Sequence, residues 1–409
     1  MEEAFIGRQP ILDRHGKIYA YELLFRSSSS QNNCTIDSDF ATANVIVNAL
    51  GQVGLKTLIG RAKGFINMTR EILFSESVKL LPKDQIVLEI LENITPDETL
   101  IAKCKELRGE GFMLALDDYE EIRSSEYAEL FKLINVLKVD CMLNTPEQIE
   151  EIVERFRGSG VKLLVEKVET LEDFERYKAL GFDLFQGYYF AKPAIISSQA
   201  INPNHMITMQ LFVDFQQDAP IDKIADDFKR SLELSFQLLQ LINSAGIGLT
   251  QKITTIQHAI SLLGRQQLQR WIMITIFTNK DRKHSENPLF QTAVIRGRFM
   301  EILQRNITPY KSEEINMAFM TGLISLLDAA THIPKKELYK RLSINPLIID
   351  AIEHHKGVLG TLLLLAELLE QKAYDKIDPI LKKLSLKPAT FIQAYNEALA
   401  WTMTFGSET

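Results

Sequence analysis

Residues 113–119, "MLALDDY", are an apolar run that stops at two adjacent carboxylates, Asp117 and Asp118. The apolar part reads as a buried β-strand. Two like charges at its end repel each other, so their placement needs a partner or a purpose.

The chain on either side repeats this pattern. Up to about Pro193, β-like runs alternate with helical segments: "IYAYELLF", "GFINM", "QIVLEIL", "FMLALDD", "VLKVD", "KLLVEKV" and "DLFQGYYF". Between them lie helices such as "TPDETLIAKCKELRGEG" and "TPEQIEEIVERFRGSG", each opened by a Thr-Pro cap signal and closed by glycine. Seven such repeats predict a mainly parallel sheet with helical cover. A closed, TIM-like (β/α) barrel leads, with an open doubly wound sheet as the alternative.

After Pro193 the sequence "AIISSQAINPNHM" is polar and irregular, as a linker would be, and "SSSSQNN" at 27–33 reads as a loop. From about residue 205 the apolar positions recur at three and four, as in "FKRSLELSFQLLQLINSAG", "TIQHAISLLGRQQLQRWIMITIF" and "EINMAFMTGLISLLDAA". This predicts an all-α helical bundle as a second domain. The expected division is therefore 1–197 for the α/β barrel and 205–409 for the bundle.

The 409 residues suit two domains, and a composition of 46% hydrophobic and 24% charged residues is that of globular protein. A formal net charge of −7 gives no general attraction to nucleic acid polymers or anionic lipid. The N-terminus lacks a secretory pattern, and "LGTLLLLAELL" is broken by Glu367 well short of a membrane span. A soluble cytoplasmic protein with no membrane partner is expected. Cys34, Cys104 and Cys141 are too few and too far apart for a disulfide framework or a CxxC metal site.

In a parallel barrel, function sits where strands give way to loops. The polar residues there are Glu22, Asn67, Glu89, Asp117, Asp118, Lys138, Glu166 and Gln186. Five of the eight are acidic and would repel one another if left without a counter-charge. Hard cations relieve that repulsion, and oxygen-only ligands favour Mg²⁺ or Mn²⁺ over zinc. Adjacent carboxylates suit two cations sharing a bridge, the geometry of two-metal phosphate-ester hydrolysis. The bland alternative is that each carboxylate caps the helix that follows.

"QPILDRHGKIYAYELLFR" resembles the opening of the EAL-domain family, bacterial cyclic di-GMP phosphodiesterases, whose name motif stands here as "ELL" within Glu-x-Leu-x-Arg. The resemblance continues through "FINMT", "LEILE", "LALDDY", "LKVD", "VEKVET" and "FQGYYFAKP", over residues 5–193. It implies a first metal held by Glu22, Asn67, Glu89 and Asp117, and a second by Asp117 and Asp118. Glu166 would join the metal ligands and, with Lys138 and Glu22, the catalytic residues. Gln9, Arg26 and Gln186 would meet the nucleotide, and Glu92 would steady the loop after the paired aspartates. The departures are "DDYEEIRSS", where two family glycines have become Glu120 and Ile122, and "EKVET", where Lys167 stands in place of glycine. Both put the positioning of the ligands in question.

The helical half resembles the HDOD domain, a signalling relative of HD phosphohydrolases, through "LINSAGIG", "ITTIQHAISLLG", "MAFMTGLISLLD" and "IEHH". No His-Asp pair exists in the chain: His258 precedes Ala, His332 precedes Ile and His355 precedes Lys. The resemblance therefore implies a protein-interaction role here rather than hydrolysis. His354 and His355 read as a helix-end pair, and Trp271, Phe277, Met317, Phe319 and Met320 read as core. Three functions stay open: a barrel that binds cyclic di-GMP or turns it over weakly, an active phosphodiesterase producing pGpG, and a scaffold without nucleotide. A homodimer through the barrel is implied by resemblance alone.

Overall fold

The computed structural model describes residues 4–27, 54–119, 127–168, 170–187, 203–231, 234–239, 253, 255–277, 287–331, 333–371 and 373–402. Residues 194–202 of the expected linker, the loop from 28, Cys34, and the substituted positions Glu120 and Ile122 lie outside the described residues, while the linker's last residues, from 203, already belong to a helix, Pro203–Gln216.

Eight strands close a barrel in chain order: β1 (Ala4–Asp13), β2 (Ile18–Ser27), β3 (Lys63–Met68), β4 (Ile86–Ile90), β5 (Met113–Leu116), β6 (Val136–Asp140), β7 (Lys162–Glu166) and β8 (Leu184–Phe185). The closed barrel thus prevails over the open sheet. From β2 to β8 neighbouring strands run parallel, whereas β1 is antiparallel to both β2 and β8. β1 is an eighth strand beyond the seven apolar runs. Its sequence, "AFIGRQPILD", carries Gly7 and Pro10 and shows no long apolar run. It forms because a tight turn at Gly16 (φ +68), with Asp13 Oδ1 accepting from the amides of His15 and Lys17, folds it back onto β2 as a hairpin.

Helical cover includes α1 (Leu55–Ile59), α2 (Arg70–Phe74), α3 (Glu98–Gly109), α4 (Pro146–Phe156) and α5 (Leu171–Leu180). Thr145 caps α4 in a reciprocal capping box with Gln148. For α3 the cap is Asp97 rather than Thr95, because the Asp97 carboxylate reaches the amide of Leu100 at 2.8 Å.

The chain packs as two units, one of residues 1–192, 282–291 and 365–409, the other of 193–281 and 292–364. The barrel unit thus takes in C-terminal residues that sequence periodicity groups with the helical half; within it, helix Pro388–Thr402 packs on α1. The second unit holds helices and no strand among its described residues. Here Gly297 and Gly322 bring two helices together, and a Cβ on Gly322 would stand 2.6 Å from the Gly297 Cα. The Glu301 carboxylate, almost fully buried, accepts from Arg270, Arg298 and Arg305 at 3.0, 2.7 and 3.1 Å. Phe277, Phe319 and Met320 are buried as expected, while Trp271, stacked on Phe228, and Met317 are half-buried. His354 ends its helix, and His355 turns into the left-handed region at φ +51. No described helix is long and apolar enough to cross a membrane.

Candidate metal centre

One buried residue from each strand forms a closed apolar layer across the barrel: Ile11, Ala20, Phe65, Val87, Ala115, Val136, Leu164 and Leu184. Side chains alternate along a strand, so the position two residues further on faces the same interior. Stepping two residues toward the C-terminal ends of β2–β8, and two residues back along the antiparallel β1, gives Gln9, Glu22, Asn67, Glu89, Asp117, Lys138, Glu166 and Gln186. Every strand contributes one polar group to this second layer. Backbone pairing holds the register: Gln9 lies opposite Glu22 and Asn67 opposite Glu89. Where β5 and β8 end, Asp117 N still donates to Ile90 O and Gln186 N to Val165 O, each at 2.9 Å. Seven of the eight residues expected at strand ends stand in this layer, together with Gln9. Asp118 follows just outside it, on a backbone turned to φ +40.

Lys138, 1% exposed, occupies the middle of the acids. Its ammonium pairs with Glu89 Oε1, with Asp117 Oδ1 at 2.7 Å and with Glu166 Oε1 at 3.2 Å. Burial works against the ammonium, but Asp117, Glu166, Glu89 and Glu22 outweigh it and raise its pKa above the ordinary lysine value. Lys138 therefore stays charged. A single cation does not balance these acids. Burial, with further repulsion from Asp117 and Glu22, holds Glu89 well above the usual carboxylate range, and the same causes push Glu166 up to about 8. Burial and then Asp117 raise Asp118. Across the ring, the Gln186 amide donates to Glu22 Oε2 at 2.6 Å and to Gln9 Oε1 at 2.9 Å.

Several buried oxygens here have no hydrogen-bond donor: Asn67 Oδ1, Glu89 Oε2, Glu166 Oε2 and Gln186 Oε1. Such orphaned acceptors are costly unless a ligand supplies positive charge. In addition, carboxylate oxygens of Glu92, Asp117 and Asp118 lie within 4.8 Å of one another. An all-oxygen donor set with surplus negative charge and unused lone pairs fits hard divalent cations. Glu92, expected to steady the loop, thus lies beside the paired aspartates.

The loop after the paired aspartates is anchored at both described ends. Tyr119 is buried, and its carbonyl accepts from the Asn144 amide at 2.9 Å. Tyr127, also buried, donates from its hydroxyl to Glu92 O at 3.0 Å. The two rings meet edge to face at 6.1 Å. Sequence reasoning singled out neither tyrosine, nor Asn144, nor the Asp140–Lys167 ion pair. Both tyrosines and Asn144 lie close to quoted motifs, but only the fold brings them to the site. Arg26 lies in β2 opposite Phe5, and its side chain is outside the described residues.

A β/α barrel with one antiparallel strand and an acidic ring around a buried lysine defines the class. Models of the EAL domain and of the HDOD domain match residues 8–193 and 202–328 respectively. The chain is 32% identical over 403 residues to the uncharacterized protein YuxH of Bacillus subtilis, spanning 97% of each. It is 29% identical over 406 residues to the cyclic di-GMP phosphodiesterase CdgJ of Vibrio cholerae, covering 98% of this chain and 93% of that one. A standalone EAL protein from Vibrio cholerae, solved with cyclic di-GMP bound, matches at 25% identity and a TM-score of 0.35, over 49% of this chain and 97% of its own. The chain belongs to the EAL-HDOD family of cyclic di-GMP signalling proteins.

Proposed function

We propose that the barrel binds cyclic di-GMP with Mg²⁺ or Mn²⁺ and hydrolyses one phosphodiester to give linear pGpG. The observation that carries this reading is the polar ring itself, where one functional group per strand converges on oxygens that lack donors. Glu22, Asn67, Glu89, Asp117, Asp118 and Glu166 would hold two cations. Those cations would activate a water and neutralise charge at the phosphodiester. Lys138, held as an ammonium, keeps Glu89, Asp117 and Glu166 in place and adds positive charge where phosphate arrives. Gln9, Arg26 and Gln186 would orient the nucleotide. Water adds to phosphorus, the bond to one ribose 3′-oxygen breaks, and that oxygen leaves with a proton, so one water is consumed per pGpG formed. The relationship to CdgJ over nearly the whole chain supports the same activity.

A second reading is a nucleotide receptor with little turnover. The substitution of Glu120 and Ile122 for glycines in "DDYEEIRSS" favours it. In both readings the HDOD half recruits a protein partner, and the barrel unit could form a homodimer. The deciding experiment compares hydrolysis of cyclic di-GMP in Mn²⁺ with nucleotide binding in Ca²⁺, for the parent chain and Glu22→Ala. Turnover lost in Glu22→Ala by at least about 100-fold supports the enzyme, since ligand loss typically costs orders of magnitude. Binding without turnover leaves the receptor, and undiminished turnover in Glu22→Ala overturns the metal assignment.

A further inference from the structure

Lys167 follows Glu166 at the end of β7 with a φ of +58, a left-handed conformation disfavoured for any residue bearing a Cβ. Three independent ties hold it there. Its ammonium pairs with Asp140 Oδ2, its carbonyl accepts from the Cys141 thiol at 3.7 Å, and the next amide, Val168 N, donates to Gln186 O at 3.1 Å. The last tie is tight: a Cβ on Gly187 would stand 2.2 Å from Val168 O.

Asp140 is a firm anchor. It is fully buried, lies opposite Glu166 in the β6–β7 register and two residues past Lys138, and its Oδ1 accepts from Met142 N at 2.6 Å. The Lys167 side chain is about half exposed, at 49%. Partial burial works against its charge, but Asp140, then Asp118 and Glu166, raise its pKa above the ordinary lysine value. Lys167 therefore ties the strand end bearing Glu166 to the strand bearing Lys138.

We propose that Lys167 is a positioning residue: its ion pair with Asp140 holds the left-handed turn after β7 and thereby sets Glu166 against Lys138 and Asp118 for divalent-cation binding. The inference rests on the metal reading of the ring. An ammonium near a cation site could also act only by repulsion, and the two roles predict opposite signs. Positioning means that removing the charge weakens cation binding. Repulsion means that removing it tightens binding.

The test is a Mn²⁺ titration of the full chain, read as free Mn²⁺ by electron paramagnetic resonance, with the folded fraction followed by circular dichroism. Lys167→Met keeps the aliphatic stem and is expected to weaken Mn²⁺ binding about tenfold, the lower end for groups that support a ligand. Lys167→Arg should restore most of the loss. Adding Lys167→Met to Asp140→Asn should weaken binding no further than Asp140→Asn alone. Should Lys167→Met fold poorly, Lys167→Gly fits the backbone without strain and is expected to bind between Met and parent. Equal or tighter Mn²⁺ binding by the folded variants, beside a parent that binds, overturns this inference alone. A parent that binds no Mn²⁺ overturns the metal reading and this inference with it.

Discussion

Lys138 draws its partners from three other strands: Glu89 within β4, Asp117 just past β5 and Glu166 closing β7. Its ammonium is the counter-charge that lets these acids share a dry interior. Replacing it with methionine keeps the stem and removes the charge, leaving fully buried Glu89 unpaired. Lys138→Met should lose about 3–5 kcal/mol of stability by urea titration, the usual consequence of breaking a buried pair from one side. A loss under about 1 kcal/mol would show that the acids are neutral whether or not the lysine is there. That these polar residues share one layer was legible, because a period of two puts the residue two past each apolar core position on the same interior, where a polar side chain is conspicuous. The Asp140–Lys167 pair was not. It joins positions 27 residues apart, and it depends on a left-handed backbone that nothing in the local sequence demands.

Elements show the same division between local and long-range information. The apolar runs of β3–β7 and the Thr145 capping box declare themselves within a dozen residues. β1 does not, since an arginine, a glutamine and a proline interrupt it; only pairing on both sides, with β2 and β8, makes it a strand. In the helical unit, the contact between Pro288–Ile307 and Ser312–Ile324 depends on two glycines. Ala at 322 would place its Cβ within 2.6 Å of the Gly297 backbone, where no flexible side chain can yield. Gly322→Ala should therefore destabilise the chain by about 1–3 kcal/mol, the range for overpacked cores. It should also lower the denaturation midpoint with little change in the slope. An unchanged midpoint would mean that the two helices part without loss. Helical periodicity exposes such apolar faces but not their partners, which is why residues 365–409 could not be assigned to the barrel unit beforehand.

For the whole molecule, the acidic ring makes stability depend on pH, and the proposed metal binding with it. Glu166 titrates at about 8 in the folded chain against an ordinary 4.5, and Glu89 shifts in the same direction. Between those values the folded state binds more protons than the unfolded one. The ring's contribution therefore weakens as pH rises from about 4.5 through 8. The raised pKa of Lys138 adds nothing in this window, because that group is protonated in both states. Divalent cations need the carboxylates ionised, so Mn²⁺ should stabilise the chain more at pH 8 than at pH 6 and release protons on binding. At 100-fold excess over its dissociation constant the increment is about 2.7 kcal/mol. Thermal unfolding with Mn²⁺ and with a chelator at both pH values checks this, and an increment independent of pH would contradict the shifted acids. One feature of the barrel also governs traffic. The eight-residue apolar layer beneath the ring is sealed, with no member more than 1% exposed. The ring therefore has no exchange route through that layer, so an incoming and an outgoing molecule would contend for the side that the layer leaves open.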